Sequence, residues 1–544
     1  MKKALISFLI LLIPVLGSAQ IEFDTRYEQE HDAQTLDYMV IPNEEQGLLV
    51  LQREFDSAQD YPIVVKHLNN ELEVQWEETL TIPQFFFVKG HRYTEEKTYL
   101  ILQNQTRDVV KILRIDTEQK KVDQFQTKDL LELDITHLEV LKNTVVMGGY
   151  FEDRPAVFAY DFEQKFMHTL QNVYQNRSEL LDIKVNKDMV TFNVLASVWD
   201  DKRDRTVVVN TYDFAGNAVR DYELEVRPDY KLINAVSSSI NDKAQVVVGL
   251  YGVKSRKMAA GIYINKIDRS GKQSMTYHNL GTLPNFFDYM GRRKAAKQRS
   301  KALSLQQAGK EQRYRTEMIL RNIIEQDGKL IVTGEFHKNA EIRLDDDRFM
   351  RRFDRPQRFD RFNRQNLFDP LHPLFQANPQ SGLNVKWNTS TPEGTFLRLQ
   401  QETHFTHAYA LVIDQEGQLE WGDYMTVDET KVGWAGDMAS FQWLGDDKGA
   451  YLYYHQRTLR AKLMDGSGAQ EVLETPLSLK ASSDELRHER GYTTGTDRWY
   501  GNNFVVYGVQ HVRPKDKSEA VRTVFFINKL SAKADAKISE VRAD

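Results

Sequence analysis

The chain has 544 residues, 41% hydrophobic, 28% charged and 11% aromatic, with 78 acidic against 72 basic side chains and a net charge of −6. That length can bury a large core, while so mild a charge excludes a polyanion-binding role for the surface as a whole and leaves electrostatic recognition to local clusters. Cysteine is absent, which excludes disulfide staples, thiolate metal sites, cysteine nucleophiles and a lipid-acylated cysteine.

The chain opens with "MKK", a 13-residue apolar run "ALISFLILLIPVL", and small residues at Gly17 and Ala19. This order of charge, short apolar core and small-residue exit predicts a secretory signal over residues 1–19, cut between Ala19 and Gln20. A membrane span needs about 20 apolar residues, and no later run approaches that. The expectation is therefore a periplasmic or extracellular protein with no transmembrane span after signal removal.

From there a turn recurs: an apolar or aromatic residue, then aspartate, usually with glycine three positions later. The copies are "RIDTEQK", "AYDFEQK", "TYDFAGN", "KIDRSGK", "VIDQEGQ" and "LMDGSGA", at Asp116, Asp161, Asp213, Asp268, Asp414 and Asp465. Their spacings are 45, 52, 55, 146 and 51 residues. The long gap holds a basic, helix-compatible stretch near 286–325 and an irregular stretch near 338–403; without them the rhythm continues. Eight β-type runs precede these turns or stand in their place: "GLLVLQREF", "TYLILQNQ", "NTVVMGGYF", "MVTFNVLASVW", "AQVVVGLYGV", "KLIVTGEFH", "GAYLYYHQ" and "NFVVYGVQHV". After a run come a charged bend, a second strand, the Asp turn and a third strand.

Units of this length predict an all-β chain, a β-propeller of seven or eight four-stranded blades with one helical and one irregular insertion. Two stacked β-sandwiches are the competing arrangement. The segments are then 20–285 for the first part of the propeller, 286–325 for the basic helical insertion, and 326–337 for a propeller strand. The irregular insertion follows at 338–403, the last part of the propeller at 404–535, and a tail at 536–544. "IEFDTRY" near the N-terminus could add a strand to the last blade and close the ring. "DGKLIVTGEFH", the long variable insertion and "AYALVIDQEGQLEWGDY" together resemble the uncharacterised exported propeller-like proteins of Bacteroidota. The resemblance covers about one blade, implies an exported propeller, and brings no catalytic residue with it.

No motif points to a reaction. The Asp turns are similar to the Asp boxes of sialidase-type propellers, but those place glycine two residues after aspartate and are themselves structural. Asp345, Asp346 and Asp347 lack the alternating ligands and distal glutamate of a calcium loop. His404 and His407 in "THFTH" fall on opposite faces of a strand. "DGSGA" lacks the outer glycine of a nucleophile elbow. No metal and no cofactor is expected, although carboxylates converging at a propeller channel would leave no trace in chain spacing.

The insertions carry the binding candidates. Residues 290–325 hold ten basic and three acidic side chains, and Arg292, Arg293, Lys294, Lys297, Arg299 and Lys301 are candidate contacts for an anion. In 345–364, "DDDRFMRRFDRPQRFDRFNR", seven arginines face five aspartates. That near-cancellation argues against nucleic acid. The phenylalanines Phe349, Phe353, Phe359 and Phe362, with Phe368, suit docking of a partner protein. Trp387, Trp421, Trp434 and Trp443 could stack on sugar rings or fill blade cores. The expected role is an exported binding or scaffold protein of the cell envelope, taking a protein partner or a glycan. An exported carbohydrate-active hydrolase or lyase is the alternative.

Overall fold

A computed structural model describes residues 20–533, apart from short gaps at 33–34, 55–59, 84–85, 128–131, 153, 172, 174–177, 200–204, 241–243, 255–257, 315–316, 433–438, 456, 469–471, 482–483, 490–493 and 516–519, and a long one at 340–401. Its strands form eight sheets of four-stranded design, arranged in a ring as an eight-bladed β-propeller. In chain order the blades span 35–83, 86–126, 134–169, 178–223, 230–279, 317–432, 440–476 and 485–533. We call the strands of each blade A to D from the ring axis outward, which is also chain order in blades 1 to 7. The A strands of blades 2 to 6 touch their neighbours in turn, which places them at the narrow ends of the wedges.

The eighth blade borrows its outermost strand. Gln20–Glu30 pairs antiparallel with Arg522–Lys533, from Gln20 opposite Lys533 to Glu30 opposite Val524. The ring is thus closed by a strand from the other end of the chain, and the last blade has no exposed edge at Arg522–Lys533.

All eight β-type runs of the sequence are B strands, one per blade, from Leu48–Glu54 to Asn503–Arg513. They are buried on both faces, since each blade is covered by two others, and this explains their nearly continuous apolar character. Apolar layers such as Leu49, Leu51, Ile63, Val65, Leu100 and Leu102 between blades 1 and 2 hold successive wedges together.

The six aspartates all sit at the turn from strand C to strand D. Asp213 accepts from the Asn217 amide at 2.8 Å, Asp268 from Ser270 and Lys272 at 2.8 and 3.0 Å, and Asp414 from Gln418 at 2.7 Å. The glycines three residues on, Gly216, Gly271 and Gly417, have φ of +84°, +88° and +78°, which suits a residue without Cβ. Where glycine is missing, Lys120 and Lys165 take the positive φ. In blade 1 Asn69 replaces aspartate, accepting from the Glu71 and Glu73 amides.

The A strands are irregular. In blades 1, 2, 3, 4, 6 and 8 the A–B register slips at a bulge, between Thr35 and Asp37, Val88 and Gly90, Ile135 and His137, Leu180 and Asp182, Leu320 and Ile323, and Leu486 and His488. In blade 5 the strand is broken into Tyr230–Leu232 and Val236–Ser237. Bulges twist a strand and re-aim its side chains, here at the ring axis.

The boundaries expected for the insertions need correction. The first departs from blade 5 after Asn279 and is over before Glu317–Gln326, which is strand A of blade 6 and not part of a helical insertion. The helix itself, α1, is Arg292–Gln307. The second lies between Lys329–Asn339 and Glu402–Asp414, strands B and C of blade 6. Strand directions put the starts and ends of both departures on one face of the ring, opposite the Asp turns.

Candidate functional site

Two places gather chemistry: the channel wall and the outer side of α1. On the wall, side chains at or near the A-strand bulges link one blade to another. Lys89 meets Asp134 at 3.3 Å and Arg92 meets Glu139 at 3.0 Å, from blade 2 to blade 3. Lys184 of blade 4 reaches Glu325 of blade 6 at 3.7 Å and donates to the Ile323 carbonyl at 3.3 Å. Glu325 also accepts from the Ser239 amide and hydroxyl of blade 5. Arg205–Glu179 and Arg53–Asp37 add pairs at 2.9 and 2.7 Å within blades 4 and 1. The wall is thus stitched by alternating charges whose signs largely cancel.

Burial shifts several of these groups. Desolvation, helped by the Arg92 cation, pushes His91 down to about 3. Desolvation also pushes His137 down to about 4, against a backbone hydrogen bond at Leu181 and with Arg92 nearby. Asp182 moves the other way, up to about 6: burial dominates, Glu139 adds to it, and the Ser237 amide at 3.0 Å and Lys184 oppose it. Imidazoles held neutral by burial and a carboxyl raised by it therefore share one wall.

A cleft of about 210 Å³ opens beside this wall between blades 5 and 6, lined by Ser238, Val246, Glu325, Asp327, Lys329 and Gln415 among others. Its charged groups are engaged: Asp327 accepts from the Trp443 indole at 2.9 Å, and Lys329 bonds Glu420 at 2.6 Å. Among the described residues no three histidines or carboxylates gather where a metal could be held.

Helix α1 is held down on one side only. Ala295 and Ala302 are buried, and Ala302 lies so close to Gly281 that a Cβ there would clash at 2.2 Å. Arg299 is half-buried and bonded to Asp288. The segment after the helix is latched to blade 5, where Glu311 accepts from the hydroxyls of Tyr230 and, at 2.7 Å, Tyr251. The segment before it runs past blades 6 and 7, where Asn285 donates to the carbonyls of Gly422 in blade 6 and Gly466 in blade 7 at 3.2 and 3.0 Å. Phe286 and Phe287 enter the core between blades 5 and 6.

The other side of α1 is cationic. Arg292, Arg293, Lys294, Lys297 and Lys301 are exposed, and among the described residues none lies within 4 Å of a carboxylate. No acidic residue occupies the first turn and the N-cap, Gly291, offers no side chain. Three cations at the positive end of a helix, and like charges at i, i+4, each oppose helix formation by about 0.2–1 kcal/mol. Tertiary anchoring, and not local preference, keeps this segment helical.

Of the six basic candidates, five are exposed, with Arg293, Lys297 and Lys301 on one side of the helix, and Arg299 turns inward to Asp288. Phe349, Phe353, Phe359 and Phe362 lie outside the described residues, as do Asp345 to Asp347, Trp387 and Trp434. Trp443 is buried and Trp421 half-buried; their rings stack at 6.2 Å between blades 6 and 7, so they serve as core and not as a sugar platform. His407 is buried between the rings of Phe336 and Tyr289, at 4.7 and 4.1 Å. Sequence reasoning missed the wall residues, because ionisable side chains scattered over five blades share no spacing.

No family model matches the chain, and no curated protein matches it. Among solved structures it is similar to the β-propeller domain of the Trilobed protease from Pyrococcus furiosus, at 9% identity and a TM-score of 0.34 over 81% of this chain and 96% of that one. A hydrazine synthase from Kuenenia stuttgartiensis aligns at 10% identity and a TM-score of 0.32 over 57% and 78%. A cobalt-substituted apocarotenoid oxygenase from Synechocystis aligns at 6% and 0.28 over 45% and 64%. The chain spans less than two thirds of the length of the first oxygenase chains it matches. The class, an eight-bladed propeller, is read from its own sheet order, and no activity passes to it from these proteins.

Proposed function

We propose that this is an exported binding or scaffold protein of the bacterial cell envelope, which holds an anionic envelope component against the outer side of α1. The observation that carries the reading is the set of five exposed cations, three of them in one row, on a helix fixed to the ring by packing, an ion pair and two latches. Cations kept together against their own repulsion, with no carboxylate within 4 Å among the described residues, call for an external anion. The channel wall, in contrast, uses its charges on itself. Export is supported by the signal-like residues 1–19, whose removal before Gln20 would leave every strand of the ring in place.

The test is capture from native envelope by the tagged mature protein and by the reversal Arg293→Glu, Lys297→Glu, Lys301→Glu. The mature protein is expected to retain an anionic component that salt releases and the reversal does not hold. Retention of the same component by the reversal would refute the reading.

One observation favours a second reading, an exported carbohydrate-active enzyme. Burial pushes Asp182 up to about 6, with the Glu139 charge adding to it, the direction a general acid needs. Hydrolysis or eliminative cleavage of an envelope polysaccharide that disappears in both Asp182→Asn and Glu139→Gln would establish it.

A further inference from the structure

Resting on the binding role proposed above, we infer the ligand's chemistry: a linear acidic polysaccharide bearing one carboxylate per sugar, laid along α1. Arg293, Lys297 and Lys301 stand four residues apart, so they form a single row. Each step advances about 6 Å along the axis and the row spans about 12 Å. Arg292 and Lys294 flank its first end, where the helix dipole is also positive. Buried Ala295 and Ala302 point the other way and fix which side is shown. The result is a rigid, one-dimensional ladder of cations. Its natural complement is a chain whose charges repeat at a comparable interval in a line.

Other polyanions fit less well. A membrane surface would be met by an apolar outward side, but the row's neighbours there are Ser300 and Ser304, and only Leu303 at the flank is an exposed large apolar residue of the helix. Single-stranded nucleic acid is held by stacking on aromatic rings as well as by charge, and residues 291–313 contain no Phe, Tyr or Trp. A folded acidic protein offers a broad patch in place of a line.

The experiment measures binding of oligogalacturonates of increasing length to the full mature chain. Anionic phospholipid vesicles and a single-stranded oligonucleotide serve as comparison probes. Affinity should rise with each sugar until the row is filled, at about three charges for a 12 Å row, and then level off. Lys297→Gln should weaken binding about fivefold and reduce the slope of log affinity against log salt by about one. Glutamine preserves helix preference, and unchanged helicity by circular dichroism would confirm a folded variant. A single sugar acid binding as tightly as a long chain would overturn the inference, as would tighter binding of vesicles or oligonucleotide. If native envelope is still captured through the cations while no oligogalacturonate binds, the ligand class falls and the binding role stands. If nothing anionic is captured through them, both fall.

Discussion

Replacing Asp182 with asparagine should make the protein more stable at pH 8 and leave it nearly unchanged near pH 4. A carboxyl raised from 3.8 to about 6 corresponds to about 3 kcal/mol of unfavourable ionisation in the folded state. Partial water contact at the wall brings the expected gain to about 1–3 kcal/mol. The sign follows from linkage. Below the unfolded value the group is protonated in both states and costs nothing. As pH rises through the folded value, the fold must ionise a carboxyl that the unfolded chain ionises more easily, and stability is lost. Asparagine removes that loss while its carbonyl can still accept from the Ser237 amide, now at 3.0 Å from the carboxylate. His91 and His137 work in the opposite sense, because their lowered values withdraw stability as pH falls below 6.5. Both proteins share them, so the difference between the two unfolding curves isolates Asp182. Urea unfolding followed by tryptophan fluorescence, repeated in small steps of pH, gives that difference. A difference that stays flat, or a variant less stable at high pH than at low, would refute the assignment of burial as the cause.

Two further outcomes follow from the ring. Deleting residues 20–30 exposes the edge of Arg522–Lys533 and should lower the melting temperature and promote association by size-exclusion chromatography; a peptide of those residues added in excess should reverse both effects. Lys462, buried with Asp423 at 2.8 Å and lying 4.3 Å from the centre of the Tyr424 ring, is the sole cation bonded to that carboxylate among the described residues. Lys462→Met should cost about 3–5 kcal/mol, and adding Asp423→Leu should recover most of it; a mild single variant in chemical denaturation would show the pair to be dispensable.

The sequence's legibility divides along the strands. Strand B reads clearly because both its faces are dry, so an apolar run is all it needs, and each of the eight runs marks one blade. The C–D turns read clearly because aspartate and a positive φ are local requirements. Blade 8 escaped this signal because its D strand comes from Gln20–Glu30, and blade 1 because Asn69 does aspartate's work. Strand A is obscure for a physical reason: it faces the channel, is interrupted by bulges, and carries Lys89, Arg92, His137, Glu139 and Asp182, which have partners on other blades. Glu317–Gln326 merges with the basic insertion in the sequence because Arg321 interrupts its apolar run, and its partner, Glu335 of the next strand, lies 14 residues away. The outward cations of α1 could be read directly, but the inward turn of Arg299 depends on Asp288, which chain spacing does not reveal.

Pairing Gln20 with Lys533 has a temporal consequence. A contact that bridges almost the entire chain carries a heavy loop-closure penalty and forms late, so blades 1 to 7 can assemble in order of synthesis while the first strand waits for its partner. A molecule threaded through a membrane from its leading end would remain an unsealed arc until its trailing segment arrived.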